Sequence, residues 1–396
     1  MSKKTLEEVC ALIVDCKNRT PPEAPPGKGV AYAIGTPHIV DGRISLDLAR
    51  PVTEETFATW TSRAVPKPDD IILTREAPVG RVARIEGNMR VCLGQRTMLL
   101  RPDNKKVHHR FLEFLLKSSE VQNLLRAQAS GSTVPHLRVS QVRELELPSL
   151  PSIREQQAIA AALGALDDKI TANERITRTS SELATSQFIL HTADADKVPL
   201  SKISTPILGG TPDRKNPEYW GGEVPWASAK DVAGSTGGII LDTEEKITLA
   251  AAEKTRAKPV PEGSVILTAR GTVGAVARVT RDTALNQSCY AFTPGETPRS
   301  VLYETVLVAA QESLNVSHGT VFSTLNMKSF EHLLVPAMDK PQASSIEEAI
   351  RPLHNSAESA LREARVLAEL RDTLLPQLMS GKLRVKDAER IVEDNV

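Results

Sequence analysis

Aromatic residues make up only 4% of this 396-residue sequence, and cysteine occurs four times. So few rings exclude a surface that stacks bases or sugars at many positions. Cys10, Cys16, Cys92 and Cys289 include no CxxC pair, which excludes a zinc ribbon and a disulfide framework and makes a reduced, intracellular protein the default. The eight histidines are scattered; His108-His109 has no cysteine or carboxylate at ligand spacing, so no metal is expected. No stretch approaches 18 uncharged apolar residues, which excludes an ordinary transmembrane helix. The opening MSKKTLEEVC lacks the apolar core of a signal peptide, and a cytoplasmic location follows as the expectation. An excess of either charge is also missing: Lys plus Arg and Asp plus Glu are both 49. Only residues 1–151 are basic, at +5, so a polyanion would be met by local patches, not by the whole surface.

Catalytic signatures are absent as well. There is no P-loop, no dinucleotide-binding glycine fingerprint, no H-E-x-x-H and no G-x-S-x-G. No Asn-Pro-Pro or Asp-Pro-Pro step precedes an aromatic, as a base-flipping amino-methyltransferase would need. Asp213, Glu244 and Lys246 bear a loose likeness to a metal-dependent nuclease pattern with no counterpart in the first half. The absence of a convergent catalytic set points to recognition.

What is present is an internal repeat. Asp70–Ile85 and Ser264–Val279 share eight of sixteen residues, among them Ile-Leu-Thr, Val-Gly and Val-Ala-Arg. Ordered flanking matches keep nearly the same offset: Val30 and Tyr32 with Val224 and Trp226, Gln95 with Gln287, Gly131-Ser132 with Gly319-Thr320, Leu147-Pro148 with Val335-Pro336. The period is too long for a solenoid unit, so two homologous globular domains are expected. Each has short β-branched strands, a Gly80 or Gly274 turn opening a hairpin, and a helix, at Arg110–Ala129 and around Val301–Ser313.

A long helix follows each domain. Ser152 and Glu155 form a capping box ahead of Ile159, Leu163, Leu166, Ile170 and Ile176, with Asn173 among them. Ile346, Ile350, Leu353, Ala357, Leu361, Ala364, Leu367, Leu370 and Leu374 repeat the pattern, with Pro352 as a first-turn or kink proline and Pro376 and Gly381 marking the end. Such spacing asks for a partner helix, and antiparallel pairing in one chain is economical. The expected seam is Ile159, Leu163, Leu166, Ile170, Ile350, Leu353, Leu361, Leu367 and Leu374. The fold class is therefore α+β: two similar mixed α/β domains, 1–151 and 193–342, separated by two long antiparallel coiled-coil helices, 152–192 and 343–396.

Polar residues cluster in the loops of both domains. The candidates for DNA contact in the first are Lys17, Asn18, Arg19, Thr36, His38, Arg75, Arg81, Gln95, Arg96, Ser132, His136 and Arg138. In the second they are Thr211, Arg214, Lys215, Asn216, Lys230, Arg270, Thr272, Asn286, Gln287, Thr320, Asn326 and Lys328. Arg, Asn, Gln and Lys can hydrogen-bond base edges, and Ser and Thr bind phosphates. A repeated scaffold with divergent loops is what two readers of different sequences need.

Residues 147–159, Leu-Pro-Ser-Leu-Pro-Ser-Ile-Arg-Glu-Gln-Gln-Ala-Ile, with Leu166-Asp167-Asp168-Lys169-Ile170, resemble the entry to the central conserved helix of type I restriction-modification specificity subunits. Leu374–Val385 resembles that family's ending, and Gly209-Gly210-Thr211-Pro212 with residues 266–274 resembles its target recognition domains. Two departures stand out: Glu347-Glu348 replaces the Glu-Gln pair in the second half, and Cys16–Pro21 stands where Gly-Gly-Thr-Pro is usual. The resemblance implies a non-catalytic subunit that reads a bipartite target in double-stranded DNA and docks two methylation subunits, with restriction subunits completing the enzyme. It implies no cofactor in this chain; S-adenosylmethionine, ATP and Mg²⁺ would belong to the partners. A methylation-only system remains the alternative at this stage, as does a nuclease.

Overall fold

The computed structural model describes residues 3–129, 135–315 and 324–394. The chain divides into two compact units, Met1–Asp168 with Leu367–Val396, and Lys169–Val366. Each holds one globular region and the adjoining stretch of both long helices.

In the first unit, strands Cys10–Asp15, Thr97–Pro102, Ile71–Thr74 and Val82–Arg84 form an antiparallel sheet in that spatial order. Alternation along the strands sends Ile72 and Leu99 to one face, where they pack with Ile34, Val91 and Leu93 of a second sheet. That sheet has the order Arg50–Val52, Ala31–Ile34, Val91–Leu93, and its last pair is parallel. The helix His109–Lys117 contacts the first sheet, and Ser118 ends it and caps a second helix, Ser119–Gln128. The single helix expected from the apolar pattern is thus two, because the Ser118 hydroxyl takes the next helix's free N–H.

The second unit repeats this plan. Ile207–Leu208, Cys289–Phe292, Val265–Thr268 and Val276–Val279 are ordered as their counterparts are, with an extra edge strand, Ile239–Ile240. Glu245–Ile247, Trp220–Ala227 and Ala284–Leu285 form the second sheet, again with one parallel pair. Register is kept as well: Ile71 faces Arg84, and Val265 faces Arg278. The helix here is Arg299–Asn315.

The first long helix runs Ile153–His191, and its capping box is in place: Glu155 N–H donates to the Ser152 hydroxyl at 3.3 Å, and Ser152 N–H to the Glu155 carboxylate at 2.9 Å. The second runs Lys340–Met379 with Pro341 in its first turn. It continues through both Pro352 and Pro376, so Pro376 does not end it; the chain turns at Gly381, whose φ of +69° suits a residue without Cβ. Pairing within each unit is antiparallel. In the second unit Lys169 meets Glu363 at 3.2 Å and the Thr177 hydroxyl donates to Ala357 O at 3.1 Å, while Phe188 packs with Ile346 and Ile350. In the first, Arg371 and Asp167 are 2.6 Å apart.

Ile159, Leu163, Leu166, Ile170, Ile350, Leu367 and Leu374 are buried, and Leu353 and Leu361 are half-buried. Ile176 is not in the seam: it is 44% exposed, whereas Asn173 and Thr177 are buried. Corresponding side chains of the long helices cap the helix of each globular region. Gln156 Oε1 accepts from the N–H of His108, which caps the helix His109–Lys117. Glu347, 191 positions on, accepts from Ser300 N–H, Ser300 Oγ–H and Val301 N–H at the start of Arg299–Asn315. The departure from Glu-Gln therefore keeps the helix-capping function, with a carboxylate replacing an amide.

Candidate nucleic-acid interface

Both units build their loops on the same hydrogen bonds. Thr74 closes the turn to Arg81: its N–H donates to Arg81 O at 2.9 Å, and its hydroxyl accepts from Arg81 N–H at 2.9 Å and donates to Pro78 O at 2.7 Å. Thr268 does the same for Ala275 and Thr272. Gly80 and Gly274 follow, with φ of +90° and +89°. A neighbouring loop is attached through Arg75 N–H to Arg96 O, or Ala269 N–H to Ser288 O. A third is attached through Leu137 N–H to Arg75 O, or Leu325 N–H to Ala269 O. Three segments from distant parts of the chain thus share one surface in each unit. The frame is the same and the side chains differ: Arg75-Glu76-Ala77-Pro78 in one, Ala269-Arg270-Gly271-Thr272 in the other.

In the first unit Thr20, Thr36, His38, Arg50, Gln95 and Arg96 line a cleft of ≈ 290 Å³. Arg50 was not singled out by the sequence, since it lies on a strand. Thr36 is buried and its hydroxyl is taken by Glu76 O at 3.1 Å, which removes it from direct DNA contact. His38 Nδ1 accepts from Gly35 N–H, and burial pushes its pKa down, so it is neutral. Two arginines serve the loops themselves: Arg75 bonds Asp15 and Leu137 O, and Arg81 bonds the carbonyls of Thr36 and Ile39. Lys17 and Arg19 lie 5.3 and 5.0 Å from the Trp60 ring centre. Arg96 reaches Glu76 at 3.3 Å, and Asn18, His136 and Arg138 are exposed. Ser132 lies outside the described residues.

In the second unit Arg214 stacks over Trp220 at 3.9 Å and Trp226 at 4.9 Å and pairs with Glu245. Asn216 and Asn326 spend their side-chain oxygens capping backbone N–H groups, and Asn286 accepts from Ser288 N–H. Lys230 pairs with Glu244 at 2.6 Å. Thr211, Lys215, Arg270, Thr272, Gln287 and Lys328 are exposed. Thr320 lies outside the described residues.

The nuclease pattern does not assemble. Glu244 is paired with Lys230, Lys246 with Asp242, and Asp213 Oδ1 accepts from Lys215 N–H. Among the described residues no group of three His, Cys, Asp or Glu side chains is placed to hold a metal. All four cysteines are buried, and burial pushes the thiols of Cys10, Cys92 and Cys289 up to about 12, so they are unreactive. No helix is long and apolar enough to cross a membrane among the described residues.

Residues 1–179 and 196–342 match the family model described as type I restriction modification DNA specificity domain. The chain is 25% identical over 365 residues to the type I restriction enzyme MjaIX specificity subunit of Methanocaldococcus jannaschii, covering 85% of this chain and 83% of that one. It is 22% identical to the HindI specificity subunit of Haemophilus influenzae, over 80% and 87% of the two chains. The crystal structure of a type I restriction-modification S subunit from M. genitalium has the same fold, with a TM-score of 0.54 at 17% identity and 95% coverage of both chains.

Proposed function

The chain belongs to the type I restriction modification DNA specificity domain family, and on that premise we propose that its two units read the two halves of a divided DNA sequence, one half each. It is the DNA-specificity subunit of a type I restriction-modification system and not itself an enzyme. Its partners are double-stranded DNA and the other subunits of that system.

The observation that carries the assignment of one half-site to each unit is the shared loop frame with unshared side chains. A fixed frame presents groups at one geometry, and different groups at that geometry select different base edges. In the second unit Arg270 fits this best. It is exposed at the tip of the loop that Thr268 closes, and arginine offers a paired donor set to guanine. In the finer reading two methylation subunits bring S-adenosylmethionine and the adenine chemistry, restriction subunits bring ATP and Mg²⁺, and the complex works in the cytoplasm. The pair of long helices sets the unread gap between half-sites.

The test is methylome sequencing of cells whose only copy of the chain carries Arg270→Ala. The expected result is loss or relaxation confined to one half of the modified motif. A change in both halves, or in neither, contradicts the assignment of one half to each unit.

A further inference from the structure

Against divergent loops, one side-chain pair is repeated. In the first unit the Thr20 hydroxyl donates to Gln95 Oε1 at 3.0 Å, and in the second the Thr211 hydroxyl donates to Gln287 Oε1. The two pairs occupy corresponding places. Gln95 sits two residues before Thr97, whose carbonyl accepts from Cys16 N–H; Gln287 sits two before Cys289, whose carbonyl accepts from Gly209 N–H. Each threonine is exposed and is followed by a buried proline, Pro21 or Pro212. A following proline holds the threonine backbone extended, so the hydroxyl's direction is set from the inside of the fold. The segments leading to the threonines share no residue identity: Lys17-Asn18-Arg19 in one, Leu208-Gly209-Gly210 in the other.

Each glutamine therefore has its carbonyl oxygen engaged and its amide nitrogen turned away from it. No described group accepts from either Nε2. What each glutamine leaves uncommitted is its pair of N–H donors, on a half-buried Gln95 and an exposed Gln287 at corresponding positions of the two units. A donor that is identical in two units cannot tell two different half-sites apart. It suits an acceptor that both half-sites present, and the phosphate oxygens, which take most side-chain hydrogen bonds from proteins and carry no sequence information, are the most accessible of these.

We propose that Gln95 and Gln287 are phosphate contacts that set each unit's register on the DNA backbone, and that Thr20 and Thr211 are the positioning residues that aim them. This rests on the DNA-reading function above. A neutral amide displaces no condensed cation, so it differs from a lysine or arginine contact in leaving the salt dependence of binding unchanged.

The full chain assembled with its methylation subunits is titrated with a duplex bearing the modified motif and with a scrambled duplex, over a range of salt. Gln95→Ala and Gln287→Ala are each expected to weaken binding about ten-fold, as for one hydrogen bond to a charged group. The loss is the same on both duplexes, the slope against salt is unchanged, and the motif modified in cells stays as it was. Gln95→Glu puts a negative charge against the phosphate and loses more. Thr20→Val shows the alanine phenotype in milder form and Thr20→Ser restores binding, with unfolding midpoints within a degree or two of the parent chain in every case. A change of base preference in either half-site, an unaltered affinity, or a loss confined to the motif duplex overturns the proposal. If the parent complex itself fails to prefer the motif duplex, the DNA-reading function falls; discrimination by the parent with any of those three results removes this inference alone.

Discussion

A histidine in the second long helix completes a charge network inside the second unit, and its removal has a calculable cost. Arg278 donates through Nη1 to His354 Nδ1 at 2.9 Å and through Nη2 to His354 O at 2.9 Å. Since Nδ1 accepts, the ring proton is on Nε2, which donates to Glu304 Oε1 at 2.8 Å. Glu304 is fully buried, His354 is 4% exposed and Arg278 8%. The first unit has the same opposed charges without the histidine: Arg84 meets Glu113 directly at 3.0 Å, and Leu163 stands 191 positions before His354. His354→Ala leaves a carboxylate and a guanidinium buried without their bridge, at a cost of about 3–5 kcal/mol. For a unit of this size that lowers its unfolding midpoint by roughly 6–20 °C. His354→Leu lets the second unit adopt the direct pairing of the first and is expected to stay within about 1.5 kcal/mol of the parent. Burial, opposed by the Glu304 hydrogen bond, pushes the imidazole pKa below its ordinary value of 6.5. The folded state thus disfavours the charged ring, so the histidine's contribution is present above pH 6.5 and is lost as the pH falls below that value. Calorimetry of the parent and both variants between pH 5 and 8 is the assay. Equal midpoints for His354→Ala and the parent, or a parent that gains stability on acidification through this range while His354→Leu does not, would refute the reasoning.

Further consequences follow from the helices and their caps. Leu163→Ala opens a cavity at a fully buried seam position and is expected to cost about 2–5 kcal/mol in a chemical unfolding titration. Glu347→Ala frees two N–H groups and a hydroxyl at the start of Arg299–Asn315 and is expected to cost about 1–2 kcal/mol, with Glu347→Gln recovering part of it, as Gln156 does in the first unit. Deleting two turns from each long helix, about seven residues and 10 Å, is expected to shorten the unread gap by about three base pairs at ~3.4 Å each; methylome sequencing that finds changed half-sites and a constant gap contradicts this.

The repeated parts of the fold were legible because they are written twice. Ile71–Thr74 and Val265–Thr268 carry β-branched runs, and each is followed at the same distance by the Val-Gly turn. Ser152 with Glu155 announced the first long helix through a local rule. Pro376 misled, because tertiary packing carries the helix through a residue that usually ends one. Ile176 matched the apolar spacing but lies off the seam; Asn173 and Thr177 are buried instead, and the Thr177 hydroxyl bonds the partner helix. Among the candidate contacts, chemistry was readable and direction was not. Nothing local tells that Arg75 and Arg81 turn inward to carbonyls while Arg270 stays exposed. The Arg278–His354–Glu304 network joins positions up to 76 apart and left no periodic trace.

Single-molecule methylome sequencing of a host with and without this chain is the most direct test of one polypeptide reading two half-sites. The expected result is one two-part motif, with a fixed unread gap, that disappears as a whole when the chain is deleted. A modified motif that is continuous, or that survives the deletion, contradicts the account.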